Sequence, residues 1–147
     1  MRIQGTEAET GTGTPGPNPK AAFGDKKPRL SLIPLTGQIA QWEAQFDGAL
    51  KYGEVNWRIN PVELMTYIDA AKRHLALFEN GELLARDTTV QNLGAVMACC
   101  AIMIDSMAHG TAIDNRNHSK QTCDLLHNAE RMVVVLRGMQ EARVSNG

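Results

Sequence analysis

The chain has 147 residues, with 15 Lys and Arg against 16 Asp and Glu and a formal net charge of -1. That length allows one domain with a core of modest size, and the balanced charge excludes the broad basic face that generic nucleic-acid binding requires. Aromatic residues make up only 5% and methionine is frequent, which favours a helical bundle over a β-sandwich.

The three cysteines are Cys99, Cys100 and Cys123, with no Cys-x-x-Cys spacing. Cys99 and Cys100 lie in an apolar run, where a free thiol acts as a small hydrophobe. A reducing compartment follows. The N-terminus has no apolar signal core, and the longest uncharged run, Thr88 to Ile104, is broken by polar residues and falls short of the ~20 apolar residues of a membrane span. The expectation is a cytoplasmic protein without a membrane partner, in the host cytoplasm if viral.

Residues 1–26 are rich in Gly, Thr and Pro without apolar periodicity and read as a flexible tail. The remaining 27–147 read as one domain. Lys27, Pro28 and Arg29 precede Leu30, Leu32, Ile33 and Pro34. Proline disfavours helix before it, so this is an extended arm. Two uses remain open: an apolar strap on the bundle, or a cationic arm that reaches phosphates.

A first helix starts near Thr36, with Ile39, Trp42, Phe46 and Ala49 at helical spacing as its core face. Glu43 and Asp47 stand four apart on the neighbouring face, where like charges need water or a cation between them. The connection Lys51 to Arg58 holds Tyr52, Asn56 and Trp57 around Gly53. Its aromatic and amide groups can stack on and hydrogen-bond a base, or the aromatics can plug the end of the bundle.

The second helix is predicted to start at an Asn60-Pro61 cap with Glu63 completing a capping box. Leu64, Ile68, Ala71, Leu75 and Phe78 form its stripe. If it continues past Gly81, Glu79 and Glu82 lean towards the core, where carboxylates must be protonated, paired or metal-bound. If Gly81 ends it, Glu82 lies in a solvated turn. Asp69 and Arg73 have the spacing of a helix pair, and His74 alone reads more readily as packing than as a ligand.

A third helix, capped by Asp87 or Thr88, is apolar on every face, with Leu93, Met97, Cys100, Ile104 and Met107 as its main stripe. A chain this small cannot bury such a helix alone, which implies subunit association. Asp105 falls near its C-terminal end, where an acid needs a metal or a cation such as Arg73 as partner. After a polar loop, a last helix from Ser119 to about Arg143 has Leu125, Ala129, Met132, Leu136 and Met139 as a core face.

Together, Lys27-Pro28-Arg29, Leu32-Ile33-Pro34, Gly48-Ala49, Lys51-Tyr52-Gly53, Asn56-Trp57, Asp69, Arg73-His74, Gly81-Glu82 and Leu93 form an ordered series. Over about residues 26–106 the chain resembles the phage dATP/dGTP diphosphohydrolases of MazZ type, within the MazG-like nucleotide pyrophosphohydrolases. The resemblance implies an all-α MazG-like helical bundle assembled as a homodimer or homotetramer. It implies cleavage of a deoxypurine triphosphate between the α- and β-phosphates, giving the monophosphate and pyrophosphate. With dGTP the product, dGMP, feeds 2-aminoadenine deoxynucleotide synthesis. It also implies a divalent cation, Mg²⁺ or Mn²⁺ with Co²⁺ as a further option, held by acids of a helix pair. Glu79-Asn80-Gly81-Glu82 has the form of the family's first metal motif.

The chain departs from the family on the third helix. The partner motif Glu-x-x-Asp is absent, and Asn92, Ala95 and Cys99 stand where the family has His residues and an Asn. The implied assignment gives metal and catalytic roles to Glu79, Glu82 and Asp105, with Asp87 and Asp69 as further metal ligands. Lys27, Arg29, Lys51 and Arg73 become phosphate contacts, with Tyr52, Asn56, Trp57 and His74 at the rest of the substrate. The rival readings are a broader house-cleaning pyrophosphatase and a non-enzymatic helical interaction protein.

Overall fold

A computed structural model describes residues 16–24 and 26–146. The protein is 68% helical, so the all-α expectation holds. The chain divides after Pro34 into two units, where the sequence places the boundary at residue 26. Much of the expected tail, residues 1–15, lies outside the described residues. Its remainder includes a short helix α1 (Ala21–Gly24), started by Asn18, whose side-chain oxygen accepts from the Lys20 amide at 3.0 Å. The expected extended arm is instead a single 3₁₀ turn over Leu30–Leu32.

The larger unit contains α2 (Leu35–Tyr52), α3 (Leu64–Glu79), α4 (Asn92–His109) and α5 (Lys120–Ser145). Helix α4 is the central element and packs against both α2 and α3. Its length and mean hydropathy of 1.3 would suit a membrane span, but within this unit it serves as the shared wall. Asn92 and Ser106, near its two ends, are fully buried.

The α2–α4 crossing is built from small residues. A Cβ added at Gly94 would lie 2.2 Å from the Ala40 carbonyl oxygen. Such closeness turns the large side chains of α2 outward, which corrects the expected core stripe. Ile39, Trp42 and Phe46 are exposed, and Trp42 stacks on Phe46 with ring centroids 5.5 Å apart. On α3 the predicted stripe fares better: Leu64 is buried and Ile68, Ala71 and Phe78 are half-buried, although Leu75 is exposed.

Gly81 stops α3. It adopts φ +96°, its amide donates to the Phe78 carbonyl at 3.0 Å, and the Glu82 amide donates to Leu77 at 2.9 Å. This paired pattern is a Schellman termination, which needs a left-handed residue at its centre. The helix therefore does not carry Glu82 onto the core side. The predicted caps also move. Val62 and Glu63 form a strand β1 (Val62–Glu63), parallel to β2 (Ala112–Ile113), with Val62 opposite Ala112. The Val62 amide donates to Thr111 at 2.9 Å, so the Asn60 capping box gives way to a tertiary pairing. Helix α4 starts at Asn92 rather than at Asp87 or Thr88, because residues 84–91 close a tight hairpin first: Leu84 bridges Gln91, and the Ala85 amide donates to Val90 at 2.8 Å.

Helix α5 starts where expected, with Ser119 as N-cap accepting from the Thr122 amide at 3.1 Å. Its expected core face is not covered by its own chain. Leu125, Met132, Leu136 and Met139 are all exposed.

Candidate functional site

Alanines at positions 44, 70, 95 and 98 leave a cavity of about 440 Å³ between α2, α3, α4 and the 84–91 hairpin. Tyr67, Cys99 and Ile102 add to its apolar walls, and Asp47, Lys51, Tyr52, Asn56, His74 and Asp87 bring its polar groups. Five residues chosen from sequence thus meet here, although they are spread over three segments: Lys51, Tyr52, Asn56, His74 and Asp87.

The polar side is organised by Lys51. Its ammonium bonds the Asp47 carboxylate at 2.6 Å, one helix turn back. That hydrogen bond holds Lys51 protonated above its ordinary range, and the charge of Asp87 adds in the same direction. On the apolar side, burial pushes the Tyr67 phenol upward, so it stays a neutral donor. Burial also pushes up the Cys99 thiol, a rise that the nearby Arg73 charge opposes. Arg73 itself does not line the cavity.

Two backbone outliers flank the cavity. Val55 and Thr89 are the non-glycine residues with positive φ among the described residues, at 49° and 59°. Both are β-branched, so the left-handed region is strained for them. Val55 precedes cavity-lining Asn56, and Thr89 lies between cavity-lining Thr88 and Val90. Strain of this kind persists where the surrounding structure over-determines it, typically beside functional sites.

The other assigned residues fall elsewhere. Asp105 accepts from Trp57 Nε1 at 2.6 Å and from Arg58 Nε and Nη2 at 2.7 and 3.0 Å. Arg58, then Trp57, holds its carboxyl down to about 2. The cation beside this acid is therefore Arg58 rather than Arg73. Trp57 is correspondingly turned to Asp105 and away from the cavity, and its carbonyl accepts from Thr111 Oγ1 at 2.5 Å. Glu82 pairs with Arg86 four residues on, an exposed contact of small energetic weight. Glu79 and Asp69 are exposed on α3 outside the cavity lining. Lys27 and Arg29 belong to the N-terminal unit.

Sequence reading missed Asp47 as a site residue. Its signal was present, since Asp47 and Lys51 stand four apart in the last turns before Tyr52 and Asn56. It also missed Asn92, which bonds His74 Nδ1 at 2.8 Å through Oδ1 and donates from Nδ2 to the Glu82 carbonyl at 2.8 Å.

Among the described residues no three His, Cys, Asp or Glu side chains gather as a ready metal site. The cavity nevertheless offers two carboxylates, Asp47 and Asp87. Mg²⁺ is commonly held by one or two carboxylates together with substrate phosphates, so this donor set fits such an ion once a phosphate chain is present.

Residues 17–116 match the family model described as dATP/dGTP diphosphohydrolase, N-terminal. No curated protein and no solved structure matches the chain. The match spans α1 to β2 and ends before α5. The protein is thus an enzyme of the nucleoside triphosphate pyrophosphohydrolase class. More narrowly, the chain belongs to the dATP/dGTP diphosphohydrolase family, which displaces the non-enzymatic alternative.

Proposed function

We propose that the protein hydrolyses dGTP, and dATP as a second substrate, to the monophosphate and pyrophosphate with the help of Mg²⁺ or Mn²⁺. The observation that carries this reading is the cavity that gathers Lys51, Tyr52, Asn56, His74 and Asp87. Its volume of about 440 Å³ lies within the ~300–1,000 Å³ of small-molecule pockets. The apolar walls at Ala70, Ala98 and Ile102 take the faces of the base. Asn56 and His74 supply polar contacts to its edge. Lys51, oriented by Asp47, meets the phosphates as a fixed positive charge.

Asp87 and Asp47 are the carboxylates that would hold the cation. When bound, it neutralises phosphate charge and activates water for in-line attack. Glu79 and Glu82, which carry the family's Glu-x-x-Glu form, are the alternative ligands, and Arg86 would have to release Glu82 for that role. The product dGMP is the precursor that 2-aminoadenine deoxynucleotide synthesis would consume. The exposed apolar faces of α2 and α5 favour a homodimer or homotetramer.

A nucleotide panel with Mn²⁺ or Mg²⁺, resolved by chromatography, tests the reading. Conversion of dGTP to dGMP and pyrophosphate, stopped by a chelator, is expected. Release of inorganic phosphate, or preference for pyrimidine triphosphates, would overturn it. Asp87→Asn and Glu82→Gln in the same assay separate the two ligand sets: the variant that loses activity marks the true one.

A further inference from the structure

We infer that His74 is held as the Nδ1–H imidazole by Asn92, so that its Nε2 lone pair faces the cavity as the acceptor for an N–H of the bound purine base, an inference that rests on the nucleotide reading of the cavity. Asn92 is 0% exposed, and both ends of its amide are committed. One end lies 2.8 Å from the Glu82 carbonyl oxygen. A carbonyl only accepts, so this end must be the NH₂ group. The other end, 2.8 Å from His74 Nδ1, is then the amide oxygen, which also only accepts. Nδ1 therefore carries the proton. In the neutral ring that leaves Nε2 unprotonated.

The position of Nε2 follows from two further facts. It has no hydrogen-bond partner among the described residues, yet no buried side-chain nitrogen or oxygen there lacks one. Open space must therefore reach it. His74 lines the cavity, as do Thr66 and Ala70 earlier on the same face of α3, and we assign the open space at Nε2 to that cavity. Guanine offers N1–H and its 2-amino group, and adenine its 6-amino group, as donors to such an acceptor. Asn92 is thus a positioning residue: it touches no ligand and sets which imidazole nitrogen the ligand meets. It also ties that choice to the hairpin bearing Asp87, through the Glu82 carbonyl and its own amide, which donates to Leu83 at 2.9 Å.

The test uses the full chain labelled with ¹⁵N-histidine, with His74→Gln to assign the signals. Long-range ¹H–¹⁵N spectra of the wild type should show His74 protonated at Nδ1 and bare at Nε2. Addition of the non-hydrolysable α,β-methylene analogue of dGTP should move the Nε2 resonance while it stays bare. A His74 protonated at Nε2 would sink the inference, as would Mg²⁺ alone shifting Nε2 as far as the analogue does. If methyl signals of Ala70 and Ala98 respond to the analogue but Nε2 does not, only the role of His74 fails. If none responds, the nucleotide reading of the cavity fails with it. In turnover, His74→Phe should raise KM for dGTP about ten- to a hundred-fold with kcat little changed, the size expected for one unmet polar partner. Partial recovery is expected in His74→Gln, whose amide oxygen can accept. An unchanged KM in His74→Phe would overturn the assignment.

Discussion

Asp105 sits in the last turn of α4, where the helix dipole opposes a negative charge, and three donors from Trp57 and Arg58 compensate it. Its folded value of about 2 lies below the ordinary 3.8. A depressed carboxyl favours the fold while it is ionised, so its contribution is complete above pH ~4 and is lost as pH falls through the folded value. Asp105→Asn should lower Tm at neutral pH and flatten the acid limb of stability between pH ~4 and ~2. Thermal melts across that range check this, and an unaltered acid limb would remove Asp105 from the stability balance. This residue also shows what local sequence withholds. That the acid needed a partner was legible from its place in the helix, but Arg58 stands 47 residues away, and only the folded chain brings it there.

At the level of elements, the small residues of α2 and α4 decide the architecture. Gly94 admits the Ala40 carbonyl to within 2.2 Å of where a Cβ would stand. Gly94→Ala must push the helices apart or distort one of them, and overpacking of this kind costs about 1–3 kcal/mol. A fall in Tm of several degrees, about 2–4 °C per kcal/mol for a chain of this size, is expected in calorimetry. A neutral effect would mean that the crossing is looser than described. Periodicity located all four long helices, because spacing is local, and turn chemistry offered the Gly81 stop as one of two readings. It misassigned the inner face of α2, since apolar stripes were read by side-chain size while the actual contact runs through Gly and Ala. The Asn60 box and the Asp87 cap failed for a related reason: backbone pairing with Thr111 and with Val90 outcompeted the capping side chains.

The whole molecule leaves much apolar surface uncovered. On α5, Leu125, Ala129, Met132, Leu136 and Met139 recur at alternating spacings of four and three, the pattern of a seam that packs against another helix, and in one chain the seam is bare. Light scattering coupled to size exclusion should report a dimer or tetramer, and Met132→Glu with Leu136→Glu should reduce it to monomer. A wild-type monomer at micromolar concentration would refute the oligomer. The candidate site was legible in part for the opposite reason. Lys51, Tyr52 and Asn56 are close in sequence, so their chemistry could be read together, whereas Asp47 looked like an ordinary surface acid and Asn92 like a lost ligand.

The pairing of β1 with β2 sets an order of events. Around it lie bonds joining Trp57 to Asp105, Met65 to Asn115 and Thr111 to Trp57, across 48, 50 and 54 residues. Closing so long a loop carries an entropic cost that prior structure offsets, so the more local α3–α4 hairpin is expected to form before this latch docks. A sheet of two two-residue strands has few bonds to hold it, so it should open locally before the helices do, and the Val62 amide should exchange with solvent ahead of those of α4. The latch holds the segment that contains Val55 and Asn56. Partial opening would therefore swing out one wall of the cavity while α3 and α4 stay folded, giving bound product a way out without global unfolding.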